Sequence, residues 1–374
     1  MTTELPNKPG IRLIRGGITP SRHKRLALWC ISGIFFFIVI GLSLSRIPKA
    51  ITKVGGDFNM RYNEVQCVKE GINPYDIWSG SVASEKYYGI YKDNPRHAPE
   101  QIHAYSPWEY TYMLPMSLLP KRTASFLFHF FCLLILAWLA LFSWKEGLSR
   151  GGSLACASFC STAAFLVGPG LNACFDTQNY GILATGSILA MIVALQRNHE
   201  LLAGLAWAVL MTKPQNGVLF AIPLLISRKW KAVMVAVSVC CLSIIPPALM
   251  TGASPVDLVL CLAKIRSDDV LSTTLFPEPI FSRIAGLAGQ PSALAASALI
   301  GVSVCAWLSL RTRMSEDWLE RMFPACLCTV AWTYKMPYDY CILSLVLVYI
   351  AGPRSTFQRN SSAGAGPGTM KIPC

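Results

Sequence analysis

Two short stretches carry residue types that could do chemistry together. In Gly55-Gly56-Asp57-Phe58 a carboxylate follows two glycines; in Thr212-Lys213-Pro214-Gln215 a lysine sits at a break between two apolar segments. A carboxylate can take a proton from an attacking hydroxyl, and a lysine can hold a phosphate as a point charge. After Asp57 the pattern turns helical, with Phe58, Tyr62 and Val65 on one face and Gly71 as a C-terminal stop. Asp57 is therefore predicted at or before the N-cap, where exposed amides hold it as an anion. An ordinary cap and a general base at a membrane surface share that signature.

The other polar clusters are fewer in kind. Tyr105-Ser106-Pro107-Trp108-Glu109 reads as a capping box, with Ser106 at the N-cap, Pro107 at N1 and Glu109 at N3. The following Tyr110–Leu119 is too short and too proline-punctuated to span, so a helix lying at the interface is predicted, with Trp108, Tyr110 and Tyr112 as interfacial aromatics. Lys213 separates segments 201–212 and 214–226, neither long enough to cross about 30 Å alone. The apex of that hairpin is expected at the floor of an outward-facing cavity, where helix ends favour anions; snorkelling is the structural alternative. Lys335, between Tyr334 and Tyr338 with Asp339 nearby, and Arg283 in a later loop are further cations for a phosphate. Asp268-Asp269 reads as a solvated loop pair, and no metal site is expected.

The elements that must position these groups are membrane helices. Of 374 residues 53% are hydrophobic and only 14% charged, with a mean hydropathy of +0.44. Repeated apolar runs without period-2 alternation imply an all-α polytopic fold and exclude a barrel. The net charge of +13 is scattered among loops rather than gathered into a stripe, which argues against nucleic acid as a partner. Most of the 14 cysteines lie inside apolar runs and read as small buried hydrophobes; no paired C-x-x-C occurs. Residues 1–26 read as a basic cytoplasmic segment and not a cleaved signal.

Loop charges then set the topology. Lys8, Arg12, Arg15, Arg22, Lys24 and Arg25 place the N-terminus in the cytoplasm. A first span at about 27–45 leads to a long outer loop, 46–122, carrying short interfacial helices. Spans follow at about 123–143, 153–170 and 180–196, then the hairpin 201–226, then 232–250, a second large outer loop at 251–290, and spans at 291–310, 318–333 and 338–351. The transmembrane domain thus occupies 27–351 with about ten segments, and 352–374 reads as a disordered cytoplasmic tail. In this arrangement Asp57, Tyr105–Glu109, Asp176–Asn179, Lys213–Gln215 and Tyr334–Asp339 all fall on the outer face.

This ordered series resembles the GT-C superfamily of polytopic glycosyltransferases, and within it glycosyltransferase family 87, the DUF2029 mannosyltransferases. The likeness rests on Gly56-Asp57-Phe58, Glu70-Gly-Ile-Asn-Pro-Tyr-Asp76, Tyr105-Ser-Pro-Trp108, Gln178-Asn179, Thr212-Lys-Pro-Gln215 and Tyr338-Asp339, across about 27–351. One departure is that Thr177 precedes Gln178 where the family commonly has Gly-Gln. The resemblance implies a GT-C-like bundle and an inverting enzyme of the bacterial plasma membrane. Such an enzyme moves a hexose, most often mannose, from a polyprenyl-phosphate carrier to an acceptor hydroxyl on the outer face. The acceptor would be a glycolipid, polysaccharide or protein. Asp57 would be the base, and Lys213, with Lys335 or Arg283, would steady the leaving phosphate without a metal or cofactor. Tyr105, Trp108, Glu109, Gln178, Asn179, Gln215, Tyr338 and Asp339 would meet sugar or acceptor. No nucleotide-binding fingerprint occurs, which suits a lipid-linked donor. A transporter or flippase of a lipid-linked glycan or other anion is the competing class, and it predicts broken helices near mid-bilayer; a channel or scaffold leaves the first loop and Lys213 without a purpose.

Overall fold

The computed structural model describes residues 54–75, 106–149, 154, 157–161, 178, 180–262, 280–284, 293–332 and 341–351, with isolated positions between 26 and 41. The elements in chain order are α1 (Gly56–Lys69), α2 (Pro107–Ser117), α3 (Lys121–Ser149), α4 (Gly181–Gln196), α5 (Glu200–Leu210), α6 (Pro214–Gly217), a 3-10 turn (Val218–Phe220), α7 (Ala221–Ile226), α8 (Trp230–Thr251), α9 (Ile280–Ile284), α10 (Ala293–Thr312), α11 (Trp318–Trp332) and α12 (Leu343–Ala351). No strand occurs among the described residues, as expected of a chain that must satisfy its backbone within each segment in lipid. Among the described residues three helices are long and apolar enough to cross a membrane: Lys121–Ser149, Trp230–Thr251 and Ala295–Thr312. The expected spans at 27–45 and 153–170 fall largely outside the described residues.

Two apolar clusters divide the bundle along its length. One gathers Phe58, Tyr62 and Val65 of α1, Tyr110 and Met113 of α2, Phe128 and Cys132 of α3, Tyr180, Ile182, and Ile244 and Ala248 of α8. The other takes the far half of α3 at Leu139, the body of α4, and α5, α11 and α12. Helices α3 and α8 therefore contribute opposite halves to opposite clusters. At the second end Lys229 pairs with Glu200 at 2.8 Å and lies over the Trp318 ring, while Tyr349 donates to Glu320 at 3.1 Å. Basic turns collect there, and both loop helices collect at the other end.

Small residues let the helices approach. A Cβ added at Gly204 of α5 would lie 2.6 Å from the Ala232 carbonyl oxygen and 2.7 Å from Val235 of α8, the close packing that membrane helices reach through small side chains. Within α8, Pro246 and Pro247 interrupt the hydrogen-bond ladder. Pro247 has no N–H to give the Ser243 carbonyl four residues back, and Thr111 of α2 supplies that donor from its hydroxyl at 2.5 Å. The proline pair thus becomes an attachment point for a loop helix.

Local expectations meet several corrections. Asp57 is not the N-cap: Gly55 is, and Asp57 stands second in the first turn of α1. The expected stop at Gly71 is present, with φ at +77°. Ile72 N–H donates to Cys67 O at 2.9 Å and Gly71 N–H to Val68 O at 3.1 Å, a Schellman closure. The capping box at 106–109 is not formed, because both side chains are engaged elsewhere. The aromatics of α2 do not form an interfacial belt: Tyr110 is fully buried, and the Trp108 indole bonds within the protein. Segment 214–226 is α6, a 3-10 turn and α7 in succession rather than one helix.

Candidate active site

The site begins at a turn that the helix geometry leaves short of donors. Helix α5 ends at Leu210; the N–H groups of Met211, Thr212 and Lys213 close on its Trp207, Val209 and Leu210 carbonyls, which leaves the carbonyls of Met211, Thr212, Gln215 and Gly217 to be met from outside that ladder. Side chains from three elements supply them. Ser106 Oγ donates to Thr212 O at 3.2 Å and Trp108 Nε1 to Met211 O at 2.9 Å, both from the start of α2. Trp332 Nε1, at the end of α11, donates to Gln215 O at 2.9 Å, and Trp207 Nε1 to Gly217 O at 2.9 Å. Lys213 sits at the centre of this turn as the N-cap of α6, and is only 5% exposed. A buried lysine in a turn fastened by three indoles and a serine is held for a purpose or a partner.

The carboxylate side is fastened from another direction. Gln178, buried and left-handed at φ 51°, accepts from Gly55 N–H at 2.9 Å and from Ser125 Oγ at 2.7 Å through the same Oε1. Its side chain thus caps the entry to α1 and ties it to α3. Asp57 lies two residues on, half-buried, in the first turn, where the helix dipole favours its ionised form. Along α1, Tyr62 donates to Leu119 O at 2.7 Å, Gln66 and Lys69 donate to Ser117 O, and Lys121 donates to Asn59 and Asn63.

Of the charges that join the two sides, sequence reasoning singled out Glu109 as a contact for sugar or acceptor but not its partner Arg61. Arg61 and Glu109, each 1% exposed, pair at 3.1 Å between α1 and the first turn of α2. The Arg61 guanidinium stacks on Tyr180, its Cζ 3.4 Å from the ring centroid. Glu64 is equally buried. Burial foremost, then the charge of Glu64, holds the Tyr110 phenol well above its ordinary range, so it stays a neutral hydroxyl. The available signal was spacing: Asp57, Arg61 and Glu64 recur at helical intervals.

Of the expected site residues, Asp57, Trp108, Glu109, Gln178, Lys213 and Gln215 come to one end of the bundle, linked through the bonds above. The Trp108 and Glu109 side chains contact protein groups, and the Gln215 carbonyl receives Trp332. Tyr105, Asn179, Lys335, Tyr338 and Asp339 lie outside the described residues, as does the side chain of Arg283, whose backbone belongs to α9. Among the described residues no group of three His, Cys, Asp or Glu could hold a metal ion.

A family model for glycosyltransferase family 87 matches residues 103–334, more than half the chain. The chain belongs to glycosyltransferase family 87. It is a glycosyltransferase built on membrane helices, and the matched region holds Trp108, Glu109, Gln178, Lys213, Arg283 and Gln215. Asp57 and Arg61 precede that region, and Lys335, Tyr338 and Asp339 follow it. No curated protein and no solved structure matches this family 87 member.

Proposed function

We propose that this glycosyltransferase moves a hexose, mannose foremost, from a polyprenyl-phosphate carrier to an acceptor hydroxyl on the extracytoplasmic face, with inversion. Asp57 removes the hydroxyl proton as the oxygen attacks the anomeric carbon. The bond from that carbon to the phosphate oxygen breaks in the same displacement, and the polyprenyl phosphate leaves as an anion. Lys213, with Lys335 or Arg283, stabilises the charge that develops on it. Gln178, Asn179, Gln215, Tyr105, Tyr338 and Asp339 supply donors and acceptors for sugar and acceptor hydroxyls. The acceptor is a glycolipid, polysaccharide or protein, and both chain termini are cytoplasmic in this reading.

The observation that carries the proposal is common anchoring. The helix bearing Asp57 and the turn bearing Lys213 are both bonded to the first turn of α2, through Arg61–Glu109 on one side and through Ser106 and Trp108 on the other. An acid and a cation held to one short segment suit a single displacement without a covalent enzyme intermediate.

A transfer assay in inverted and right-side-out membrane vesicles tests it. Radiolabelled mannose supplied as the polyprenyl phosphate should enter a product only where the carrier's sugar faces outward. Incorporation solely from a sugar nucleotide at the cytoplasmic face overturns the proposal. The helix interruption from Thr212 to Phe220 favours the transporter alternative, since discontinuous helices hold substrate in many transporters. That reading requires label to cross the bilayer with the carrier bond intact.

A further inference from the structure

We propose that Arg61, through its buried pair with Glu109, is a positioning residue that sets Asp57 against the Lys213 turn. The proposal rests on the reading of Asp57 as the base. Asp57 lies four residues before Arg61, so the two share a stripe of α1 one turn apart. Arg61, 1% exposed, is clamped on two fronts: it is paired with Glu109 at 3.1 Å and stacked on Tyr180 at 3.4 Å. Glu109 occupies the same first turn of α2 as Trp108, which with the N-cap Ser106 holds Met211 O and Thr212 O beside Lys213. A continuous path thus runs from the acid to the cation, and its middle link is one charge pair. The other side-chain fastenings of α1 run to Gln178 at its entry, to Lys121 at Asn59 and Asn63, and to the far end of α2. Of these bonds, the one from Arg61 joins α1 to the first turn of α2, the turn that holds the Lys213 segment.

A buried ion pair is a poor device for stability, because apolar residues of similar volume do as well. It is a good device for register, since a planar guanidinium on a ring and a carboxylate tolerates little rotation. A slip of one residue along α1 carries Arg61 away from both partners and rotates Asp57 with it.

Transfer from radiolabelled polyprenyl-phosphate-mannose by wild-type and variant protein in membranes tests the proposal, with thermal stability of the purified protein read in parallel. Arg61→Lys keeps the charge and loses the planar guanidinium that stacks on Tyr180. It should lower kcat while leaving KM for the donor unchanged. The apolar pair R61M/E109L should restore the melting temperature lost in R61M alone, yet leave kcat down by about 100-fold, the cost of a misplacement near 1 Å. Recovery of kcat together with stability, or a wild-type kcat in Arg61→Lys, makes the pair merely structural and overturns the proposal. The control is Asp57→Asn. If it stays active, the reading of the base falls and the proposal falls with it; if it is dead while the Arg61 variants are fully active, only the positioning role is lost.

Discussion

The Thr111 hydroxyl donates to the Ser243 carbonyl at 2.5 Å, the carbonyl that Pro247 leaves without its helical partner. A loop helix and a membrane span are therefore joined at the point where the span is weakest. Thr111→Val should cost about 1–3 kcal/mol, the penalty for an acceptor left without a donor. Pro247→Ala returns an N–H to the same carbonyl, so T111V/P247A should lose less than the two single changes together. Thermal unfolding of the four proteins in one detergent checks this cycle; strict additivity would show that the two groups are independent.

Asp57 gives the most direct test of the chemistry. Asp57→Asn keeps size and the first-turn position but cannot take a proton, so kcat should fall by about 10²–10⁴ with the amount of inserted protein unchanged. Turnover at the wild-type rate would assign the carboxylate to capping alone.

Lys213 is tested by Lys213→Met, which keeps the stem and removes the charge. If it steadies a leaving phosphate, kcat should drop by about 10²–10³, and Lys213→Arg should recover part of the loss. Single-turnover kinetics with the lipid-linked donor separate this from weaker donor binding.

Sidedness can be read with thiols. Asp57→Cys, half-buried at the loop-helix end, and Asn198→Cys, exposed at the basic end, should react with an impermeant maleimide from opposite faces. Labelling of both from the same side would break the topology on which the proposed donor geometry depends.

Gly204 makes a prediction about packing alone. Its added Cβ meets backbone at the Ala232 carbonyl, 2.6 Å away, so α5 and α8 must separate to accept Gly204→Ala. A loss of about 1–3 kcal/mol is expected, measured as a lowered melting temperature with the kinetics of the surviving protein intact.

Much of the architecture was legible because it follows from local rules. Apolar run length gave the helices, loop arginines and lysines gave the basic end, and Gly71 gave the stop of α1. The paired approach of α1, α2 and the Lys213 turn to one end followed from the alternation of spans. What sequence could not give was the destination of side chains that leave their own helix. Ser106 and Glu109 match a capping box in spacing, yet the Thr212 carbonyl and the Arg61 guanidinium take them, because a buried charge and an exposed helix end elsewhere need them more. Trp108 and Tyr110 resemble membrane-interface aromatics until a burying partner, α8, is known. Arg61 and Glu64 fall on the expected helix after Asp57 but off its Phe58–Tyr62–Val65 face, and only the packing of α1 on nearly every side makes them interior groups.

The bond between Gly55 and Gln178 spans 123 residues of chain, and that separation imposes an order on biogenesis. At about 5–20 residues per second, the ribosome delivers the glutamine roughly 6–25 s after the glycine. Throughout that interval the nascent polypeptide carries Asp57 on an unlatched segment, and the latch cannot close before the whole of α3 has been synthesised.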